Sequence, residues 1–533
     1  MARSFDYLIV GGGSAGCVLA NRLSEGGRHS VLLLEAGPRD TYPWIHIPIG
    51  YGKTMFHPVL NWGFVAEPDP NLNGRRIYTP RGRTLGGSSA INGLIQIRGQ
   101  PEDFDGWAAS GAAGWSWKET LPYFIKSESF CGGSGPWHGA DGPLSVSRIK
   151  DRHPLVEALI AAAAELGIPR NDDFNGPTQE GAGYLHLTTR NGLRCSAAVA
   201  YLRPAEGRPN LAVETDAHVT RVLFDGARAV GVEYARKGRT LRARSAQEVI
   251  LCAGSVQSPQ LLQLSGIGHG EHLSRLGVPV VRHLPGVGEN LQDHLILRLM
   301  YKCAQPITTN DQLRTILGKL ATAARWAILR RGPMAVGVMM GGLITRALPD
   351  AKTPDYQFFL STVSAEERGA TPHPWSGFTF NYYPLRPTSR GWVRALSPDS
   401  RAHPAIRYNY LSTDYDRRAM VAGFRLTRRI AATRAFAPYV ASEYRPGPEV
   451  RSDDEMLAYI RSTATTGFHP CGTCRMGTDE GAVVDPRLRV HGIQGLRVAD
   501  ASVMPTIVSG NTNAATIMIA EKAADLIKED ARS

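Results

Sequence analysis

No stretch of about 18 consecutive apolar residues occurs in this 533-residue chain. The nearest approach, 320–329, is interrupted by Arg325. A membrane-spanning helix is therefore not expected, and any membrane contact would be peripheral. Blocks of about five or six like charges are also missing, although Lys and Arg (60) outnumber Asp and Glu (48) and leave a net charge of +12. The basic residues are scattered, as at Arg75-Arg76, Arg81-Gly82-Arg83 and Arg330-Arg331. Such scatter gives no tract for a phosphate backbone, and nucleic acid is not expected as a partner. Cysteine is scarce and odd in number: seven, at 17, 131, 195, 252, 303, 471 and 474. So dispersed a set excludes a disulfide framework and suits a reducing compartment, so a cytoplasmic location is expected. Met1-Ala2-Arg3-Ser4 passes directly into an apolar run, and no cleavable leader is expected there. There is no internal repeat or low-complexity segment. A hydrophobic content of 43% with 20% charged residues argues against disorder, and the length favours two domains.

The strongest positive signal lies near the start. Tyr7-Leu8-Ile9-Val10 reads as a strand and leads into Gly11-Gly12-Gly13-Ser14-Ala15-Gly16. Gly11 allows a tight turn, Gly13 lets the backbone approach a pyrophosphate at a helix N-terminus, and Gly16 lets that helix pack closely on the strand. The helix reads Cys17-Val18-Leu19-Ala20-Asn21-Arg22-Leu23, and Val31-Leu32-Leu33-Leu34 is the second strand. Glu35 then stands where an acid takes the ribose hydroxyls of a dinucleotide. Gly11, Gly13, Ser14, Ala15, Gly16, Glu35 and Ala36 are thus expected at the cofactor. The acid would repel a 2′-phosphate, which excludes NADP. No second Gly-x-Gly-x-x-Gly exists for a nicotinamide, and Glu35-Ala36-Gly37 looks like a flavoprotein segment; both favour FAD over NAD.

The remaining organisation is coarser. Residues 37–110 are loop-rich, a texture usually functional inside a compact domain. Pro154 to Leu166 reads as a helix. Leu211-Val213, Val219-Phe224, Ala229-Tyr234 and Val249-Cys252 read as an antiparallel meander returning to a central strand, with a helix over 258–264 after it. From 295 onward longer strands are expected at 295–302, 355–360, 377–383 and 391–396, with helices near 311–330 and 413–432 packed on their sheet. Leu496-Arg497-Val498-Ala499-Asp500 reads as a strand, closed by a helix over 513–527. The fold class is α/β (α+β mixed): a Rossmann-like FAD-binding domain over 1–295, a substrate domain on an antiparallel sheet covered by helices over 296–460, and a return to the first domain over 461–533.

These segments resemble the glucose–methanol–choline (GMC) family of FAD-dependent oxidoreductases along essentially the whole chain. Four blocks carry the likeness. The first is the fingerprint above. The second is Gly82-Arg83-Thr84-Leu85-Gly86-Gly87-Ser88-Ser89-Ala90-Ile91-Asn92, with Arg98-Gly99 beyond it. Gly254-Ser255-Val256-Gln257-Ser258-Pro259-Gln260-Leu261-Leu262, running to Ser265-Gly266-Ile267-Gly268, is the third. His469-Pro470-Cys471-Gly472-Thr473 with Asp500-Ala501-Ser502 and Asn511-Thr512-Asn513 is the fourth. Asn290-Leu291-Gln292-Asp293-His294 and Arg194-Cys195-Ser196 resemble the bacterial choline, L-sorbose and aliphatic alcohol dehydrogenase branches. Taken on its own, the Gly-Gly-Ser-Ser turn offers amides and hydroxyls in one concavity, suited to a phosphate or a flavin edge. The resemblance adds cofactor contacts at Arg83, Leu85, Gly87, Ser88, Asn92, Gly93, Leu94 and Ile95. It further implies Val219 and Ala253, and around the fourth block Phe468, Asp500, Ala501, Thr512 and Asn513. Where some family members tether FAD through a His, this chain has Ile91, so FAD should be non-covalent. Gln96 stands where the family usually carries an aromatic or Ala. Ala90 stands where light-driven decarboxylases of the family carry Cys, which argues against decarboxylation.

The chemistry implied is oxidation of a primary alcohol or polyol, hydride passing to flavin N5. The family likeness makes His469 the base and Asn511 the residue that holds the substrate oxygen; imidazole titrates near neutrality and can take the hydroxyl proton. His294 is the alternative base, though Gln-Asp-His also reads as a domain hinge. Cys471-Gly472-Thr473-Cys474 lacks the second ligand pair that zinc needs and is expected to be small buried packing; no metal is expected. The Arg75 and Arg81–Arg83 loops read as solvated surface, or as a guide for an anionic acceptor. Val338-Met339-Met340, Tyr356-Gln357-Phe358-Phe359 and Phe468 are expected to line an apolar pocket. Electrons would pass to a quinone or similar acceptor. Alternatives are an oxidase that passes them to oxygen, a flavin-containing hydroxynitrile-lyase type of enzyme, and a flavin-bound interaction protein.

Overall fold

The computed structural model describes residues 3–532; Met1 and Ala2, on which the expectation of no leader partly rests, lie outside them. Strand β1 (Arg3–Val10), helix α1 (Ser14–Ser24) and strand β2 (Val31–Leu34) form the βαβ unit. Four apolar residues in a row are buried in each strand, as a parallel sheet covered on both faces requires. The chain then leaves this sheet. Helix α2 (Pro154–Glu165) and strand β3 (Gly181–Tyr184) belong to the second sheet. It returns with β4 (Leu211–Glu214), β5 (Ala217–Asp225), β6 (Arg228–Arg236) and β7 (Arg239–Leu251), followed by α3 (Gly254–Leu264).

The meander over 211–252 differs from expectation in one respect. β5, β6 and β7 are antiparallel neighbours, but β4 pairs parallel to β2 at the opposite edge. Short apolar β4 carries no turn signal that tells these partners apart. β7 is one long strand with two tasks. Its first half pairs with β6, and its buried end, Val249 to Leu251, lies parallel to β1.

The second sheet is antiparallel throughout. It contains β8 (Leu295–Cys303), β9 (Met339–Thr345), β10 (Tyr356–Ser361) and β11 (Gly377–Pro384), in the order β3-β9-β10-β11-β8. β3, from the first expected domain, thus closes an edge of the second sheet. Between β8 and β9 lie α4 (Thr309–Arg314) and α5 (Ile316–Leu329). α5 does not pack on the sheet as expected. Thr322 is its one buried residue, while Leu317 is 78% exposed. Its apolar composition matched a core helix, and composition does not say where a helix docks. The strand expected at 391–396 is also displaced. β12 (Trp392–Arg394) pairs with β13 (Ala405–Arg407) in a separate ribbon. Helix α6 (Asp414–Ala431) does cover the sheet. β14 (Val440–Arg445) pairs with β8, as does β15 (Thr465–Thr466). β16 (Leu496–Val498) then returns to the first sheet beside β7, and α7 (Thr512–Asp530) packs on α1.

Strand alternation divides the second sheet into two faces. Tyr356 and Tyr382 face α6, where a Cβ built on Gly423 would stand 2.4–2.6 Å from their rings. Thr379, Asn381 and Tyr383 line a cavity instead. Both tyrosines are fully buried and cannot yield. Gly423→Leu should therefore destabilise the holoenzyme by about 1–3 kcal/mol, even after the roughly 1 kcal/mol gained in helix propensity. Denaturant unfolding would measure it, and an unchanged midpoint would contradict this packing.

Candidate active site

α1 starts at Ser14, and its N-cap Gly13 makes no side-chain cap, so the first amides of the helix are left for a ligand. A Cβ on Gly16 would stand 1.8 Å from the Gly11 carbonyl, and one on Gly87 (φ +51°) 2.6 Å from Gly13 Cα. Only glycines permit this turn and this approach of two loops. Ser14 Oγ donates to Asn513 Oδ1 at 2.8 Å, tying α1 to α7. Glu35 lies across the turn, its carboxylate accepting the Gly12 and Gly37 amides at 2.8 Å each. Burial pushes its carboxyl up to about 7, against the pull of these amides and of Arg83.

These parts line one cavity of about 1020 Å³, at the top of the range for small-molecule sites and roomy enough for a dinucleotide with a substrate. Its wall brings together Gly11, Gly13, Ser14, Ala15, Glu35, Ala36, Gly87, Ser88, Asn92, Gly93, Leu94, Ile95, Val219 and Ala253. Phe468, His469, Asp500, Ala501, Asn511, Thr512 and Asn513 complete it. Gly16, Arg83 and Leu85 stand outside the wall. Gly16 packs the turn, Leu85 fills the core against Gly12, and the Arg83 guanidinium lies over Trp62 at 4.9 Å. Of the expected pocket segments, Val338, Met339, Phe359 and Phe468 reach the cavity, whereas Met340, Tyr356, Gln357 and Phe358 do not.

The far end of the cavity holds a chain of hydrogen bonds whose polarity can be worked out. His294 Nε2 lies 2.9 Å from the Leu385 carbonyl. A carbonyl only accepts, so Nε2 carries the proton. Burial lowers the pKa of His294 to about 4, so its Nδ1 is bare and accepts from His469 Nδ1 at 3.0 Å. His469 Nε2 is then the bare nitrogen, and Asn511 Nδ2 donates to it at 3.0 Å. Asn511 is oriented in turn: its Oδ1 accepts from Gln357 Nε2 at 3.4 Å, and Gln357 Oε1 accepts from Tyr383 at 2.7 Å. The His469 amide donates to Asp293 at 2.7 Å. Burial first, then His294, Arg81 and Arg368, holds His469 well below the usual imidazole value. The arrangement holds a neutral imidazole at the cavity wall, its one lone pair, on Nε2, taken by the Asn511 amide.

Of the residues that set up this geometry, Tyr383 carried no signal of its own, while Gln357 and Asp293 stood in segments the sequence reading singled out but with no role of this kind. Arg194 could have been noticed within its block: its buried guanidinium donates to Asn92 Oδ1 at 2.6 Å and to the Ile45 and Ser89 carbonyls. Of the basic loops at Arg75-Arg76 and Arg81–Arg83, only Arg76 is solvated surface. Arg81 donates to the Phe468 carbonyl at 2.9 Å, and Arg75 to the carbonyls of Arg461 and Ala464, so both brace the strand that leads to His469. Gln96 packs inside, its Oε1 buried without a partner among the described residues. Cys471 and Cys474 are buried free thiols.

The GMC oxidoreductase family profile matches residues 5–296 and 387–520. The chain belongs to the GMC oxidoreductase family. It is 45% identical to the mitochondrial choline dehydrogenase of Homo sapiens, over 98% of this chain and 90% of that one. Pyridoxine 4-oxidase from Mesorbium loti superposes with a TM-score of 0.89 at 33% identity, covering 98% of each chain. An FAD-dependent oxidoreductase from Chaetomium thermophilum gives 0.90 at 28% identity, over 99% of this chain and 100% of that one. The cofactor of this GMC oxidoreductase is FAD, and the free amides, the buried carboxylate and the two-loop approach described above fit it. Among the described residues no helix is long and apolar enough to cross a membrane, and no group of His, Cys, Asp or Glu could hold a metal.

With Glu35 as the ribose ligand, cofactor binding would be sensitive to pH. A ribose hydroxyl that donates to this carboxylate favours its ionised form, while burial in the free protein favours the acid, with a value of about 7. FAD affinity should rise roughly tenfold from about pH 6 to about pH 8, with proton release on binding at the lower end. Calorimetric titration of the apoprotein would test this, and Glu35→Gln should flatten the dependence while weakening binding. A pH-independent affinity in the unsubstituted protein would remove Glu35 from the ribose.

Proposed function

We propose that this enzyme oxidises a primary alcohol or polyol to the aldehyde or ketone, with His469 as the base, and passes the electrons to an acceptor such as a quinone. The observation that carries the reading is the unprotonated Nε2 of His469, left so by the Leu385–His294–His469 chain and paired with the Asn511 amide at the cavity wall. A substrate hydroxyl that enters between the two side chains would take over the Asn511 N–H on its oxygen and give its proton to the His469 Nε2 thus freed. Bound FAD supplies the hydride acceptor. The residues that we assign to FAD are the cavity-lining set above, from the fingerprint turn, the Gly87–Ile95 loop and the start of α7. A non-covalent cofactor is part of the proposal, because Ile91, at the wall, offers only an alkyl side chain.

The choline dehydrogenase relative supports a CH–OH donor. A second reading, with oxygen as acceptor and peroxide released, is supported by the pyridoxine 4-oxidase likeness, and peroxide formed on adding alcohol alone would favour it. A lyase would keep its flavin oxidised. Exposed Leu317, Leu320 and Leu329 on α5, with Lys319 and Arg330 among them, support peripheral contact with a membrane, where a quinone would be met. The seven free cysteines support a cytoplasmic location.

His469→Ala should slow anaerobic flavin reduction by roughly 10²–10⁴-fold, and Asn511→Ala by about 10–100-fold, the worth of one positioned hydrogen bond. Because the His469 pKa is lowered, the base stays competent as the pH falls. The acid limb of flavin reduction should therefore lie below pH 6.5, the ordinary imidazole value. Stopped-flow reduction across pH would check all three; a wild-type rate in His469→Ala would overturn the assignment. Acid precipitation should release all the yellow colour into the supernatant, and flavin retained in the pellet would show a covalent link.

A further inference from the structure

The alcohol cavity carries more positive charge than an uncharged or cationic substrate needs. Arg298 lies on β8 directly opposite Asn381 on β11, so the two share one face of the sheet. Tyr383, two residues further along that face, has its ring centroid 4.4 Å from that of His294 and 5.7 Å from that of His469. Arg368 approaches from the loop that follows β10. Its guanidinium lies over the Phe468 ring at 4.8 Å, and Phe468 is the residue before His469. Both arginines line the cavity with His469 and Asn511.

Among the described residues, neither guanidinium has a carboxylate within ion-pair distance. Arg298 donates to the carbonyls of Ala365 at 2.9 Å and Glu366 at 3.4 Å, and Arg368 to that of Thr466 at 3.4 Å. These neutral acceptors orient the side chains without cancelling their charge. Of the nearby carboxylates, Glu367 lies exposed at the cavity wall and forms no ion pair with either arginine, and the others have partners of their own. Glu366 is exposed and meets Arg445 at 2.6 Å and His373 at 3.0 Å. Asp293 accepts from Tyr410, Thr466 and the His469 amide. Asp500 accepts from Gly254, Ser258 and Ser502. Burial first, then the charge of Arg298, lowers the Arg368 pKa to about 9. Two desolvated like charges side by side are costly unless an anion joins them.

We infer that the preferred substrate is an alcohol bearing a carboxylate, which Arg298 and Arg368 receive while its hydroxyl lies against His469 and Asn511. This rests on the alcohol-oxidation reading above and narrows it. Planar guanidinium forks match a carboxylate in shape and charge. A quaternary ammonium requires the opposite: an aromatic cage and a negative counter-charge. In this cavity it would meet two cations, so the substrate named for the human relative is not expected to be the best one here.

The test is anaerobic flavin reduction of the holoenzyme with three matched kinds of alcohol. They are choline, its uncharged isostere 3,3-dimethylbutan-1-ol, and ω-hydroxy carboxylates of increasing chain length. The expected order of kcat/KM is hydroxy acid, then neutral alcohol, then choline. Arg298→Met and Arg368→Met should each lower the ratio of hydroxy-acid to neutral-alcohol kcat/KM by roughly 10²-fold, with partial rescue by Arg→Lys. Flavin content of each variant checks that it has folded. A second readout needs no turnover: a non-oxidisable carboxylate such as butanoate should perturb the flavin spectrum of the wild type and do so more weakly in the variants. Choline outpacing its isostere, hydroxy acids no better than the neutral alcohol, or a ratio unmoved by either substitution would overturn the proposal. If no alcohol of any charge reduces the flavin, the oxidation reading itself fails, and the carboxylate titration still reports on the arginine pair.

Discussion

The hydrogen bond from His294 Nε2 to the Leu385 carbonyl fixes where every proton in the site resides. Leu385 follows directly on β11 and His294 directly precedes β8, and these strands are paired neighbours. Sheet register therefore decides the tautomer of His294, which decides that of His469, which decides which nitrogen faces the cavity. A one-residue slip between these strands would turn Asn381 and Tyr383 toward α6. The unprotonated nitrogen is thus set by backbone pairing, with side chains passing the information on.

The parts legible in the sequence were those under dense local constraint. The turn from Val10 to Gly16 and the acid at Glu35 each need particular residue types at particular spacings, so few alternatives compete. Long periodic elements such as α6 and α7 were legible for the same reason. His469 and Asn511 were singled out by the family likeness, and the fold brings them within 3.0 Å. What was not legible depended on partners distant in the chain. β4 reads like any short apolar strand and gives no hint that it joins β2. The stretch from Ile316 to Leu329 has core-like composition, yet it lies on the surface with Thr322 alone buried. The apolar pocket was half right for a simple geometric reason. Tyr356 and Phe358 alternate with Phe359 along β10, and only Phe359 looks into the cavity.

Arginine was the residue type hardest to read. Scattered single arginines suggested solvated surface, yet four kinds of use emerged. Arg81 and Arg75 brace the approach to His469 through backbone carbonyls. Arg194 holds the Asn92 amide. Arg83 stacks on an indole. Arg298 and Arg368 stand at the cavity wall with no ion-paired carboxylate among the described residues. A guanidinium that ends on carbonyl oxygens leaves no charge-complementary pattern in the sequence, so its role becomes visible only once the fold has brought its partners near.

The contact between Ser14 and Asn513 joins residues 499 apart in the chain, and β1 cannot be flanked on both sides until β7 has been made. A ribosome therefore releases the opening strand, turn and helix long before anything exists to cover them. Their apolar faces must wait in solution or in the care of a chaperone, as is common for large proteins rich in non-local pairing. The cavity wall closes only when α7 (Thr512–Asp530) emerges. The cavity is thus completed late, and a chain truncated shortly before α7 would leave translation with most of its mass but without the wall that Thr512 and Asn513 supply.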